Sequence, residues 1–191
     1  MNILTIRQTI RIFTRLTLGL GIIYMATASD YSQSAENRWA ESDQVKQSIV
    51  RMVNAIDTKQ WDVALDRFHD RVFVDYSSLS GQPGSETDAS ALVGGWQGLL
   101  AKVSTHHLLG NFEISVSEDH ADVSSHVYAS HSAHGVEGYW DAYGRYLHEL
   151  RKINGDWKIT SMTLIMHGQK GNLNFLPEVI EMNARSADAS D

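Results

Sequence analysis

Tyr146-Leu147-His148-Glu149-Leu150-Arg151-Lys152-Ile153-Asn154-Gly155-Asp156-Trp157-Lys158-Ile159-Thr160-Ser161-Met162-Thr163 holds two β-rich runs on either side of an Asn-Gly pair. That pair is a hairpin signal, because both residues accept the positive φ that a tight two-residue turn demands. A turn at 154–155 sets Leu150 opposite Ile159, His148 opposite Ser161 and Tyr146 opposite Thr163. Tyr146 then shares a face with Leu150 and Ile159, since strand side chains alternate. Working outward, the period of two continues upstream. Phe112, Ile114 and Val116 alternate with polar residues, as do Ala121, Val123, Val127 and Ala129. The spacing predicts a run of antiparallel strands from Ser104 to His167. After Gly168 the chain reads as loop, with Phe175 to Met182 docked on the body or forming a short helix, and Ala184 to Asp191 a disordered tail.

Before Ser104 the period is helical. Ser42-Asp43 starts a helix with an acid in its first turn. Val45, Ile49, Met52, Val53 and Ile56 form one apolar stripe that ends near Asp57. Trp61 to Phe68 reads as a second, shorter helix with Trp61, Leu65 and Phe68 inward. Val72 to Tyr76 reads as a strand. Ser77 to Glu86, with Gly81, Pro83 and Gly84, reads as a loop. Thr87 or Asp88 caps a third helix to about Lys102, with Leu92, Trp96, Leu99 and Leu100 on its buried side. Helices followed by strands give an α+β fold: a curved antiparallel sheet with three N-terminal helices enclosing a pocket, the usual setting for a small molecule.

Residues 1–34 stand apart. Arg7, Arg11 and Arg15 precede an apolar run, Leu16 to Met25, and then Ala26-Thr27-Ala28, the parts of a secretory signal. Two readings stay open: a periplasmic or secreted protein whose residues 1–28 are cleaved, or a cytoplasmic chain that starts at Met25. The run is short for a bilayer span, so no membrane association is expected beyond this segment. The domain is expected over 35–176 and a tail over 177–191. The chain carries −7, and losing residues 1–28 removes three arginines and no acid, which takes the charge to −10. Such acidity argues against a nucleic-acid partner. The absence of cysteine excludes a thiol nucleophile, a cysteine zinc site and a disulfide scaffold.

The residues suited to chemistry are histidine, aspartate and tyrosine. In Ser104-Thr105-His106-His107-Leu108-Leu109-Gly110-Asn111 one of the two adjacent imidazoles must face inward. Asp57 closes its helix, where an acid opposes the helix dipole. It is either a solvated turn residue or the acceptor for an inward imidazole. Tyr76 ends a strand and either packs in the core or offers a phenol to a carbonyl. His131 shares parity with Val123, Val127 and Ala129, so it faces the apolar side, and His126 faces away. Their opposite parity argues against a metal site. No Gly-x-Ser-x-Gly elbow, phosphate loop or dinucleotide fingerprint is present. The expectation is therefore proton transfer without cofactor or metal.

Four stretches in order resemble the SnoaL-like proteins of the NTF2-like superfamily. They are Ala55-Ile56-Asp57-Thr58-Lys59-Gln60-Trp61-Asp62, Val74-Asp75-Tyr76-Ser77-Ser78, Thr105 to Asn111, and the hairpin Leu147 to Lys158. The resemblance covers roughly 40–168, and the order of motifs is most like that of scytalone dehydratase, a cofactor-free lyase. It implies a cone-shaped curved sheet with three helices. It also implies Asp57 as the acid supporting a catalytic His107, His131 as a second active-site histidine, and Tyr76 as the group polarising a carbonyl. Ile56 stands where that enzyme has a tyrosine and Tyr146 where it has an asparagine, so the resemblance does not carry the dehydratase substrate over, while it leaves room for an acid–histidine pair. With Trp61, these two are the expected substrate contacts. The functional expectation is a dehydratase-like lyase or an isomerase acting on a small, partly apolar carbonyl compound. The alternative is a non-catalytic module for a small hydrophobic ligand, and the superfamily's habit of pairing through the sheet face adds a homo-oligomer.

Overall fold

A computed structural model describes residues 33 and 36–188. The chain divides into two units, 1–41 and 42–191. Of the first, residues 33 and 36–41 are described, and they are helical. The signal-like segment 1–28 and the alternative start at Met25 lie outside the described residues. Among the described residues, no helix is long and apolar enough to cross a membrane.

The second unit opens with α1, residues 42–57. Its stripe is buried as its spacing demands: Val45, Ile49 and Met52 are fully covered, and Val53 and Ile56 nearly so. Next come α2 (Trp61–Leu65), β1 (Phe68–Asp75), α3 (Ser77–Ser80), β2 (Ser85–Asp88) and α4 (Ala89–Leu100). The strands β3 (Val103–Ser117), β4 (His120–Ala133), β5 (Trp140–Ile153) and β6 (Asp156–Gly171) follow, then α5 (Phe175–Asp188). The strands form one curved, open sheet in the order β2-β1-β6-β5-β4-β3. The fold is α+β, and the helical stripes cover the inner face of the sheet.

Several local expectations are corrected. Phe68 belongs to β1, not to the second helix, and α2 is only five residues long. The segment Ser77 to Glu86 is not all loop: α3 ends at Gly81, whose φ of 72° suits a residue without a β-carbon, and β2 then pairs with β1. The sheet is mixed, because β1 runs parallel to β6. No hairpin joins those two strands, so nothing local sets their relative direction. At the C-terminus β6 extends to Gly171, and α5 continues through Asp188 where a tail was expected from 177. Phe175 and Val179, fully buried on one side of α5, anchor that helix.

The hairpin forms as its turn requires, with φ of 53° at Asn154 and 93° at Gly155. Leu150 pairs with Ile159, as expected. Beyond that point the register differs: Glu149 faces Ser161, His148 faces Met162 and Tyr146 faces Leu164. A bulge at Thr160 inserts one residue into β6, and a one-residue shift moves every later side chain to the other face. Trp157 and Ile159 face inward before it, Met162 and Leu164 after it. β3 does the same between Gly110 and Glu113. This lets His107 and Phe112, of opposite parity, both turn toward the interior.

Candidate active site

The inner face of the sheet and the helices enclose a chamber of about 580 Å³, inside the usual range for a small-molecule site. α1 contributes Met52, Val53 and Ile56 to it, α4 contributes Leu92, Trp96 and Leu99, and Tyr76 stands at the start of α3. The sheet supplies His107, Val127, Ala129, His131, Trp140, Tyr146, Met162 and Leu164. Leu176 of α5 completes the wall. Among the described residues, none of the lining side chains is Asp, Glu, Lys or Arg.

β3 is an edge strand, paired only with β4. Half of its backbone N–H groups therefore lack a partner in the sheet. The N–H of His107 is one of these, and it donates to Oδ2 of Asp57 at 2.7 Å. The same residue's Nδ1 lies 2.7 Å from Oδ1 of the same carboxylate. An ionised carboxylate only accepts, so Nδ1 carries a proton, and in the neutral form of the ring it is Nε2 that has the bare lone pair. Asp57 thus closes a gap in the strand edge and sets the tautomer of the ring together. Burial opposes ionisation of Asp57, but the hydrogen bonds from the His107 ring and backbone outweigh it, and the carboxyl stays below its ordinary 3.8. It is ionised at neutral pH.

The second imidazole follows from the register. His107 pairs with Ala129, and His131 lies two residues further along β4 on the same face. The two rings sit 5.9 Å apart, edge to face. Nδ1 of His131 donates to the backbone carbonyl of Trp140 at 3.1 Å. Burial, with the neighbouring His107, lowers the proton affinity of His131 to a pKa of about 4. His131 is neutral at pH 7, and its Nε2 is also an acceptor. His126 lies on the outer face, as its parity predicts.

Tyr76 lines the chamber, and its hydroxyl donates to the weakly accepting sulfur of Met162 at 3.7 Å while accepting from the Trp96 indole N–H. Burial and the nearby Tyr146 phenol hold its pKa well above 10, against the pull of a hydrogen bond from Trp96. The phenol keeps its proton and can donate it to a ligand. Burial and the charge of Asp57 likewise raise the pKa of Tyr146. Tyr146 and Ile56 line the chamber; Trp61 does not. It packs partly buried against the core, its ring 5.7 Å from Nζ of Lys59.

Sequence reasoning placed Trp96 only on a buried helix side and gave Leu176, on α5, no part in the site. The Trp96 side chain combines a ring and an indole N–H, a cue for a polar contact. Leu176 offered no signal, because only docking of α5 brings it in. Among the described residues, no three His, Asp or Glu side chains converge as a metal ion would require.

A model of the SnoaL-like domain matches residues 37–163. The chain belongs to the SnoaL-like domain family. The match spans α1 entirely, ends within β6, and includes Asp57, Tyr76, His107, His131 and Tyr146. No curated protein matches the sequence. Among solved structures, the Kfla4162 protein of Kribbella flavida superposes with a TM-score of 0.67 at 21% identity, covering 72% of this chain and 99% of its own. A protein of Novosphingobium aromaticivorans assigned as a scytalone dehydratase gives 0.64 at 22% identity, covering 71% and 90%. A type 2 hexachlorocyclohexane dehydrochlorinase gives 0.59 at 14% identity, covering 71% and 90%. At these identities the likeness shows a shared fold alone, and one fold can host many chemistries.

Proposed function

We propose that this SnoaL-like protein is a cofactor-independent lyase or isomerase acting on a small, neutral, largely apolar carbonyl compound. The observation that carries the reading is the double clasp of His107 by Asp57 at the wall of an uncharged chamber. A bare Nε2 there is a general base, and the carboxylate behind it stabilises the imidazolium that proton uptake creates. The base takes a proton from the carbon beside the carbonyl. Tyr76 donates to the carbonyl oxygen as negative charge gathers on it, where a positioned donor is worth most. The His107 imidazolium then returns the proton. Delivered to a departing hydroxyl, it completes a dehydration; delivered to another carbon, it completes an isomerisation. His131, neutral and accepting, holds a water or the substrate hydroxyl in line rather than acting as an acid. With no charged group in the lining, a carboxylate, phosphate or ammonium substrate would be buried without a counterion, which is costly.

Structural neighbours that include a scytalone dehydratase and a hexachlorocyclohexane dehydrochlorinase accord with this chemistry. The test is a panel of neutral cyclic ketones, with and without a β-hydroxyl, screened by thermal shift. Binders are then incubated in D₂O, and exchange at the carbon next to the carbonyl is followed by NMR. Wild type exchanges that hydrogen, and His107→Ala exchanges it at least about 10²-fold more slowly, the usual loss when a general base goes. Ligands that bind both forms with no exchange by either would make the protein a hydrophobic ligand-binding module instead.

A further inference from the structure

The end of α1 has a feature that the chamber does not explain. Lys59 adopts φ of 61°, in the left-handed region where glycine is the usual residue. The N–H of Gln60 returns to the carbonyl of Ala55, and that of Lys59 to the carbonyl of Ile56. This is the bonding of a Schellman motif, with lysine at the position that favours glycine. A residue with a β-carbon is strained there, and such strain is a pointer to a role for its side chain. The side chain is not loose. Half-buried Lys59 places Nζ 3.0 Å from Oγ1 of Thr105 and 5.7 Å from the ring centre of Trp61. Thr105 is buried one inward position before His107 on β3, and it pairs with His131. Its hydroxyl, accepting from Lys59, is free to donate, and Asp57 is the carboxylate it supports.

We propose that Lys59 is a positioning residue of the Asp57–His107 pair, a fixed ammonium that steadies and neutralises the carboxylate from outside the chamber through Thr105. Trp61 holds it in place by covering one side. Five groups meet here: Asp57 from α1, Thr105 and His107 from β3, His131 from β4 and Trp61 from α2. The single negative charge among them is that of Asp57, so one cation balances it. The field of Lys59 also disfavours a proton on His131. Burial lowers the proton affinity of the ammonium while the charge of Asp57 raises it. This inference rests on the proposed proton-transfer role, but its test needs no substrate.

The test is side-chain NMR of the histidines in the full chain. Wild type is compared with Lys59→Met, Lys59→Gly and Lys59→Arg. In Lys59→Met, the Nδ1–H of His107 exchanges with water at least roughly threefold faster, because its acceptor is no longer steadied. The His131 titration, at about 4 in wild type, moves up by roughly 0.3 unit or more, the size expected when a partly screened charge is removed. Lys59→Gly relieves the backbone strain, so it folds at least as firmly, and it shows the same two changes. Lys59→Arg restores both. Unchanged exchange and titration in the Met and Gly variants would overturn the inference and leave Lys59 a helix-end residue with no part in the site. Asp57→Asn separates the two ideas. If it alters the His107 ring while the Lys59 variants do not, only the role of Lys59 falls; if it does not, the pair itself is wrong.

Discussion

Replacing Asp57 by Asn changes one oxygen to an NH₂ and tests the centre of the site at almost constant shape. In the wild type, one carboxylate accepts two hydrogen bonds of 2.7 Å, from the backbone N–H and Nδ1–H of His107. An amide can keep only one of these acceptances, because its second arm donates. With the oxygen on the backbone N–H, the NH₂ meets Nδ1, and the ring must switch its proton to Nε2. The lone pair then faces the new amide and the chamber loses its base. Turnover should fall at least about 10²-fold, and by up to about 10⁴-fold if the wrong tautomer dominates, as it does in acid–histidine pairs elsewhere. Two charge-assisted bonds become one or two neutral ones, which costs about 1–3 kcal/mol of stability.

The pH dependence gives this prediction a second edge. The folded carboxyl sits below its unfolded 3.8, so its stabilisation is fully present above that value. It is lost as the pH falls through the folded value. The gap between wild type and Asp57→Asn in denaturant melts should thus be widest near neutrality and close below about pH 4. The assay is a set of urea melts from pH 3 to 8 with ¹⁵N NMR of the His107 ring at pH 7. A variant that keeps the proton on Nδ1, or that loses no stability at pH 7, would refute the reasoning.

Three further outcomes follow from the same geometry. Tyr76→Phe removes a hydroxyl that donates to a thioether and accepts from the Trp96 indole N–H; it should cost about 1–3 kcal/mol of stability, while turnover drops at least about tenfold, as read by the D₂O exchange assay. His148→Phe should raise the melting temperature by a few degrees, since both ring nitrogens are buried without a protein partner and each such group costs about 1–3 kcal/mol. Burial depresses the His148 pKa from 6.5 to about 3, so the unfolded chain takes up its proton first and wild-type stability falls as pH drops below 6.5; His148→Phe should flatten that fall in melts between pH 7 and 4. Ile56→Glu puts an uncompensated charge into the chamber wall; it should abolish the thermal shift from neutral ligands and destabilise the fold by more than about 2 kcal/mol in urea melts.

The amino-acid order alone determined whatever a short window can carry. The stripe from Val45 to Ile56 marked the buried side of α1, Asn154-Gly155 marked its turn, and the parity of Val123, Val127 and Ala129 turned His131 inward and His126 out. Those features depend on neighbouring residues only. What the tertiary structure decided involves partners far apart in the chain. Asp57 and His107 are 50 residues apart, and only the packing of a helix end against an edge strand joins them. The bulge at Thr160 overrode simple alternation and brought Met162 and Leu164 inside. β1 settled parallel to β6, Trp61 turned to Lys59 instead of the chamber, and α5 supplied Leu176. Periodicity tells each side chain which way to face, but which surface it then meets is set by closing the whole sheet against its helices.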